Sequence, residues 1–451
     1  MSDRRIVCDE CSRADLLRVA AGRGLPSIES GMPVPAGTGL TRRGFVARSV
    51  GLALSVYGAG KLSAFDAGIA SAAAGKPQPI LVTVFLQGGA DSLSLLYPQG
   101  DPLYSKYRKV LAVTGGTPFT EDARLFWHPS LAPLAQLHDE GKVSVLPAVG
   151  YDHPDQSHFT SRHYWEVGAT DPHLLTGWLG RYLDAVGSPD NPLQGLSLGG
   201  SLQPSLATGR VPVATIDSPG QYDFWTPGVW GSVQDRMLDA IGGLGAIRSH
   251  DAAFRTAANV AHQSNRLRLQ LGPFAGKKLT PPVPYPTSNE SFPTQLSGLA
   301  AMIAAGLPLH CVALEASGSY DTHAGQTAEL GPALDTTAQS LLAFQRDLES
   351  RGIADRVLTL VWSEFGRRAQ ENGSGGTDHG AAGCGFLIGT HAAGTQVGEF
   401  PGLNVLDQEG NLKATSDFRG VYAGLLEQWL QTDAERVIPG AKKFQQPTLV
   451  K

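Results

Sequence analysis

The chain has 451 residues and a formal net charge of −5, so no strong basic field argues for a nucleic-acid partner. A hydrophobic content of 42% is that of a globular chain with a substantial core, in one large domain or two ordinary ones. Its 55 glycines and 30 prolines point to many turns and long surface connections.

The N-terminal region reads as a targeting segment. Thr41-Arg42-Arg43-Gly44-Phe45-Val46 is a twin-arginine pattern, an apolar stretch runs from Val50 to Ala59, and Ala70 to Ala74 is a small-residue region that a signal peptidase can cut. An apolar run of about ten residues is too short to span a bilayer about 30 Å thick. Residues 1–74 are therefore expected to be a signal region, with 1–43 ahead of the apolar and cleavage part at 44–74. Met32 is an alternative start to Met1 that would leave a short leader. The expected mature protein meets the twin-arginine translocation machinery, has no stable membrane span, and is periplasmic, envelope-bound or extracellular. Cys8 and Cys11 form a Cys-x-x-Cys pair, which is half a zinc site and lies within the segment lost on export.

Residues 75–451 read as a single α/β domain with an elaborated insertion around 174–293. Pro79 to Leu86 is a continuous apolar run, as a parallel strand buried on both faces requires. Pro129 to Glu140 has helical spacing with a stop at Gly141, and Val143 to Val149 is the next strand, giving a βαβ unit. Gln156 to Gly168 reads as a helix. Leu174 to Thr226, full of Gly, Pro and Ser, reads as irregular with short strands. Ser232 to Leu271 gives one or two helices, and Gly272 to Pro293 is a proline-rich linker. Then come a helix (Gln295 to Ala305), a strand (Leu309 to Leu314), a long helix (Thr327 to Arg351), strands at Arg356 to Trp362 and Cys384 to Ile388, and a closing helix from Asp417 to Thr432. Cys311 and Cys384 are open to one disulfide or to two buried thiols. No dinucleotide or Walker loop follows a strand, and no cysteine cluster suits iron–sulfur, which leaves an exported oxidoreductase without support.

Chemistry collects at the predicted strand ends, where open α/β sheets place ligands. The first strand leads to Asp91. The second leads to Tyr151-Asp152-His153-Pro154-Asp155-Gln156-Ser157-His158. Later strands lead to Asp321 and His323, then to Glu364 and Arg367, and a glycine-rich loop carries Asp378 and His379. Carboxylate and imidazole together suit zinc, manganese or iron, whereas carboxylate alone would suit magnesium or calcium. Each residue also has a plain structural use: Asp91 or Ser157 as a helix cap, Arg367 as a salt-bridge partner of Glu364 or Glu371.

The motifs Gln-Gly-Gly-Ala-Asp91-Ser, Ser157-His-Phe, Tyr-Asp321-Thr-His323, Trp-Ser-Glu364-Phe-Gly-Arg and Thr-Asp378-His379-Gly resemble the bacterial twin-arginine proteins called DUF1501, from about Arg42 to about Gln431. That family in turn is similar to the alkaline phosphatase and sulfatase superfamily. The resemblance implies an alkaline phosphatase-like sandwich, with a mostly parallel central sheet flanked by helices and one or two divalent ions at its strand ends, zinc, manganese or calcium. It implies metal-binding roles for Asp91, Asp321, His323, Glu364, Asp378 and His379, and a nucleophile at Ser157 opening a helix. His153 and His158 become general-acid candidates, and Arg367 a clamp on an anionic ester substrate. Phe365 replaces the superfamily's histidine after Glu364, and Asp321 and His323 stand closer than the superfamily spacing, both of which favour one ion over two. The expected function is an exported metal-dependent hydrolase of phosphate or sulfate esters. The alternative is a catalytically degenerate relative that binds envelope glycans or protein partners.

Overall fold

A computed structural model describes residues 78–221, 228–247, 249–277 and 279–451, together with a two-residue strand, β1 (Val56–Tyr57). The twin-arginine motif, the expected cleavage region and the Cys8–Cys11 pair lie outside the described residues.

The other strands are β2 (Ile80–Phe85), β3 (Leu96–Tyr97), β4 (Phe126–Trp127), β5 (Val143–Gly150), β6 (Gly195–Leu198), β7 (Val213–Ile216), β8 (Cys311–Glu315), β9 (Val357–Trp362), β10 (Arg367–Glu371), β11 (Thr377–His379), β12 (Gly383–Ile388) and β13 (Ser416–Asp417). Nine form one sheet in the order β1-β7-β6-β8-β2-β9-β12-β5-β13. From β7 to β9 every neighbouring pair is parallel. β12 runs against both β9 and β5. The expected α/β class with a mostly parallel sheet is the observed one.

Burial on both faces explains the apolar runs. Ile80, Val82 and Val84 of β2 join one core and Leu81 and Phe85 join the other, as a strand's alternating side chains require. Helices α3 (Ala132–Asp139), α8 (Phe292–Ala304) and α9 (Gln326–Ser350) cover the first face. Helices α4 (His158–Val167), α5 (Trp178–Val186) and α10 (Phe418–Gln428) cover the second. Short helices α1 (Ser92–Leu95) and α2 (Pro102–Tyr107) follow β2, and α6 (Gly231–Gly243) packs on α7 (Ala252–Leu271).

Register sets where the chemistry arrives. Phe85 pairs with Glu315 of β8 on one side and Trp362 of β9 on the other, so the three strands end level. Because β12 is antiparallel, its first residue lies at the same edge. The short strand β11 that precedes it ends on His379, whose Nε2 comes 3.6 Å from Asp321 in the loop after β8.

Several expectations need correction. β2 and β5 run parallel with α3 between them in sequence, but they are not neighbours, because β9 and β12 lie between them. The segment expected to hold only short strands also contains α5, whose buried Trp178, Leu179, Tyr182 and Leu183 were masked by surrounding glycines and prolines. Cys311 and Cys384 are both free and buried, on β8 and β12, three strand spacings apart. At about 4.8 Å per spacing that far exceeds the ~7 Å limit between α-carbons of a disulfide.

Candidate metal centre

Four side chains from one helix start, one loop and one strand end meet at this edge. His158 opens α4, Asp321 and His323 sit on the turn after β8, and His379 closes β11. Asp321 Oδ1 lies 3.4 Å from His158 Nε2, 3.2 Å from His323 Nε2 and 3.6 Å from His379 Nε2. One ligand atom each from His158, Asp321 and His379 falls within 4.8 Å of the other two, a spacing that a metal ion can bridge.

The rings are held from behind. His158 Nδ1 donates to Glu364 Oε1 at 2.8 Å, and His379 Nδ1 donates to the Gln156 carbonyl at 2.8 Å. Both arrangements turn Nε2 towards Asp321, in the way that outer partners orient metal-binding histidines. His158 Nε2 is buried and lacks hydrogen-bond geometry to any partner. Two imidazoles and a carboxylate, with their ligand atoms turned towards one point, therefore fit a divalent ion. Among the three metals expected, the donor set fits zinc or manganese better than calcium, which takes oxygen ligands. His323 Nε2 is 2.8 Å from His379 Nε2 and adds a third imidazole to the cluster.

The electrostatics follow from this crowding. Burial opposes a charge on His158, yet its contacts with Asp321 and Glu364 push it up to about 9. Burial likewise opposes ionisation of Asp321, but three imidazoles and the Arg367 guanidinium hold its carboxyl well below the usual range. Burial pushes His379 down. Glu364 stays below its ordinary value despite complete burial, because His158 and nearby backbone N–H groups stabilise the carboxylate.

The loop after β2 shapes the floor. Gly88 and Gly89 donate their N–H groups to Glu364, each at 3.0 Å at its closest oxygen. Both glycines have positive φ. A Cβ on Gly88 would stand 2.3 Å from the Asp321 nitrogen, and one on Gly89 would stand 2.2 Å from the Phe365 ring. Phe365 itself packs against His158 and His379, with ring centroids 4.8 and 4.9 Å apart.

The other predicted residues fall in distinct places. Ser157 is the N-cap of α4, and its hydroxyl makes no capping hydrogen bond. Its neighbours on either side, Gln156 and His158, both touch the cluster. His153 is exposed in a turn, with φ of 55°. Asp378 is exposed, and its Oδ1 lies 3.5 Å from His323 Nδ1. Glu364 acts on His158 rather than standing in the three-ligand group. Arg367, expected to clamp an anion, is buried and donates instead to the carbonyls of Gly88, Gly89 and Thr377 and to Asp321. It pairs with Asp321 and not with Glu364 or Glu371. Asp91 is engaged elsewhere: fully buried, it accepts both terminal nitrogens of Arg108, Ser94 Oγ at 2.7 Å and Gln326 Nε2 at 2.6 Å. Burial works against its charge, but Arg108 holds it below the ordinary value. Arg108, Gln326 and the Gln156 carbonyl carry no motif, so nothing in the sequence marked them.

Comparison with known proteins agrees with the resemblance in sequence. The family described as a protein of unknown function (DUF1501) matches residues 246–419. No functionally curated protein matches the chain. Similar solved structures include a protein in the alkaline phosphatase superfamily from Vibrio parahaemolyticus, at 9% identity and TM-score 0.36, covering 80% of this chain and 70% of that one. The PsFucS1 sulfatase from Pseudoalteromonas sp. gives 11% identity and TM-score 0.34, covering 84% and 74%. The lipooligosaccharide phosphoethanolamine transferase A from Neisseria meningitidis gives 11% identity and TM-score 0.35, covering 98% and 66%.

Proposed function

We propose that this chain is a metal-dependent hydrolase of phosphate or sulfate esters that works with one divalent ion, held by His158, Asp321 and His379. The observation that carries the reading is the convergence of those three ligand atoms within 4.8 Å, with His158 Nε2 buried and turned towards Asp321 Oδ1 at 3.4 Å. When bound, the ion supplies Lewis-acid stabilisation of charge on an ester oxygen.

The chain's own residues do the rest. Glu364 and the Gln156 carbonyl orient the two imidazoles. Ser157, beside His158 at the start of a ten-residue helix, is the nucleophile of this reading. Arg367 fixes Asp321 and the Gly88–Gly89 carbonyls, so it positions the ligand and does not grip the substrate. A single ion is favoured over two because the Asp91 carboxylate is already neutralised by Arg108.

Export by the twin-arginine route belongs to the same proposal and rests on the Thr41–Val46 pattern; no helix among the described residues is long and apolar enough to cross a membrane. N-terminal sequencing of the exported protein tests it, an intact residue 41–46 segment in the mature form counting against it. For the chemistry, the tests are metal analysis and a panel of chromogenic phosphate and sulfate esters. Ser157→Ala is expected to abolish turnover with bound metal unchanged, and undiminished turnover removes the covalent mechanism. A protein that holds metal yet turns over no ester belongs to the degenerate, glycan- or protein-binding alternative, which the loss of a second ion position at Asp91 also accommodates.

A further inference from the structure

A buried polar chain links the two segments that carry Asp321 and His379. It starts at Arg108, which is 1% exposed. Arg108 donates from Nε to the Ala369 carbonyl at 2.7 Å and from Nη2 to the Arg368 carbonyl at 2.9 Å, so it grips β10 beside Arg367. Its other donors go to Asp91. Asp91 accepts Gln326 Nε2, and Gln326 Oε1 accepts two hydroxyls, Thr322 Oγ1 at 2.9 Å and Thr377 Oγ1 at 2.7 Å. Asp91, Gln326, Thr322 and Thr377 are all 2% exposed or less.

The positions of the two threonines give this chain its meaning. Thr322 stands between Asp321 and His323, and Thr377 stands two residues before His379. The Gln326 carboxamide therefore ties together the two segments that deliver the cluster. A backbone bond from Thr377 N to the Thr322 carbonyl at 3.0 Å runs alongside it. A carboxamide suits the task because it donates to a carboxylate on one end and accepts two hydroxyls on the other. A glutamate there would repel Asp91, and an apolar residue would leave two buried hydroxyls and a carboxylate lone pair without partners.

We propose that Gln326, anchored by the Asp91–Arg108 ion pair, is a positioning residue that sets the separation of Asp321 from His379 and so tunes metal affinity. This inference rests on the metal-site reading above, and its test separates the two. The full chain, its Gln326→Met variant and its Thr377→Val variant are titrated with Zn²⁺ against a chromophoric chelator, and their Co²⁺ visible spectra are recorded. Gln326→Met is expected to weaken Zn²⁺ roughly 10–100-fold, the usual cost of losing an outer partner of a metal site, and to shift the Co²⁺ bands. Thr377→Val is expected to do the same to a smaller degree, and the double variant to be no weaker than Gln326→Met alone, since Gln326→Met already removes the hydrogen bond that Thr377→Val deletes. Thr377→Val carries the test should Gln326→Met fail to fold.

Unchanged Zn²⁺ affinity and Co²⁺ spectra in both folded variants overturn the inference. A parent chain that binds no Zn²⁺ overturns the metal-site reading instead. In that case amide hydrogen exchange of residues 321–323 and 377–379 decides on Gln326: faster exchange in the Gln326→Met variant supports the coupling, and identical exchange overturns it.

Discussion

The proton on His158 gives the sharpest test of the centre. With its imidazole pushed up to about 9, about 99% of the molecules carry a proton there at pH 7. An ion that binds through Nε2 must displace it. Well below the raised value the apparent affinity should fall about tenfold per pH unit, so moving from pH 9, where half the molecules are already protonated, to pH 7 costs ~50-fold, or ~2.3 kcal/mol. His379, pushed down by burial, adds little to that slope near neutrality. Calorimetric titration with Mn²⁺ or Co²⁺ in buffers of different ionisation enthalpy at pH 7 should therefore count about one proton released by His158. Without metal the sign reverses. The folded-state value lies above the unfolded one, so the stabilisation is complete below about pH 6.5 and fades as pH rises through about 9. Glu364→Gln removes one of the two carboxylates that hold the charge and should shift the affinity profile to lower pH. A flat affinity between pH 7 and 9 with no proton release would refute the assignment of His158 as a ligand.

Two further substitutions test the surroundings. Arg108→Met leaves Asp91 buried without its cation and should cost about 3–5 kcal/mol in urea denaturation, with Asp91→Asn in the same chain recovering part of the loss; a loss below about 1 kcal/mol would mean that Asp91 finds water or another partner. Gly89→Ala puts a Cβ 2.2 Å from the Phe365 ring at a φ of +72°, so about 1–3 kcal/mol of overpacking adds to about 1–2 kcal/mol of left-handed strain. Thermal unfolding reads it, and adding Phe365→Leu should relieve the steric part while leaving the backbone part.

How far the site was legible can be argued strand by strand. β2, β8 and β9 could be read because a parallel strand buried on both faces has little choice but an unbroken apolar run. Their level ends then place Asp321 and Glu364 at one edge without knowledge of any contact. The insertion of β12 between β9 and β5 could not be read, since strand order follows from which faces pack and not from any local pattern. Among histidines in one loop, His153 and His158 carry the same chemistry in sequence. The start of α4 divides them: it buries His158 against Phe365 and leaves His153 in solvent. The two arginines after β9 differ in the same way, Arg367 being turned inward on β10 opposite His379.

Asp91 shows why residue type and place at a strand end do not determine a role. Its cation comes from Arg108, 17 residues further on, and a guanidinium is charged at every accessible pH. The carboxylate is thus compensated before any divalent ion arrives, and so are Gln326 and the two threonines that hang from it. That assembly is expected to keep the scaffold folded without metal and to confine an ion's contribution to the Asp321 cluster. The consequence is testable by chelation. Removing the ion should leave far-ultraviolet circular dichroism and cooperative unfolding intact, and should lower stability only by the binding term, ~2.7 kcal/mol when the free ion had been at one hundred times its dissociation constant. A chelated protein that loses cooperative unfolding would show that the ion, and not the Arg108–Asp91–Gln326 chain, holds these loops together.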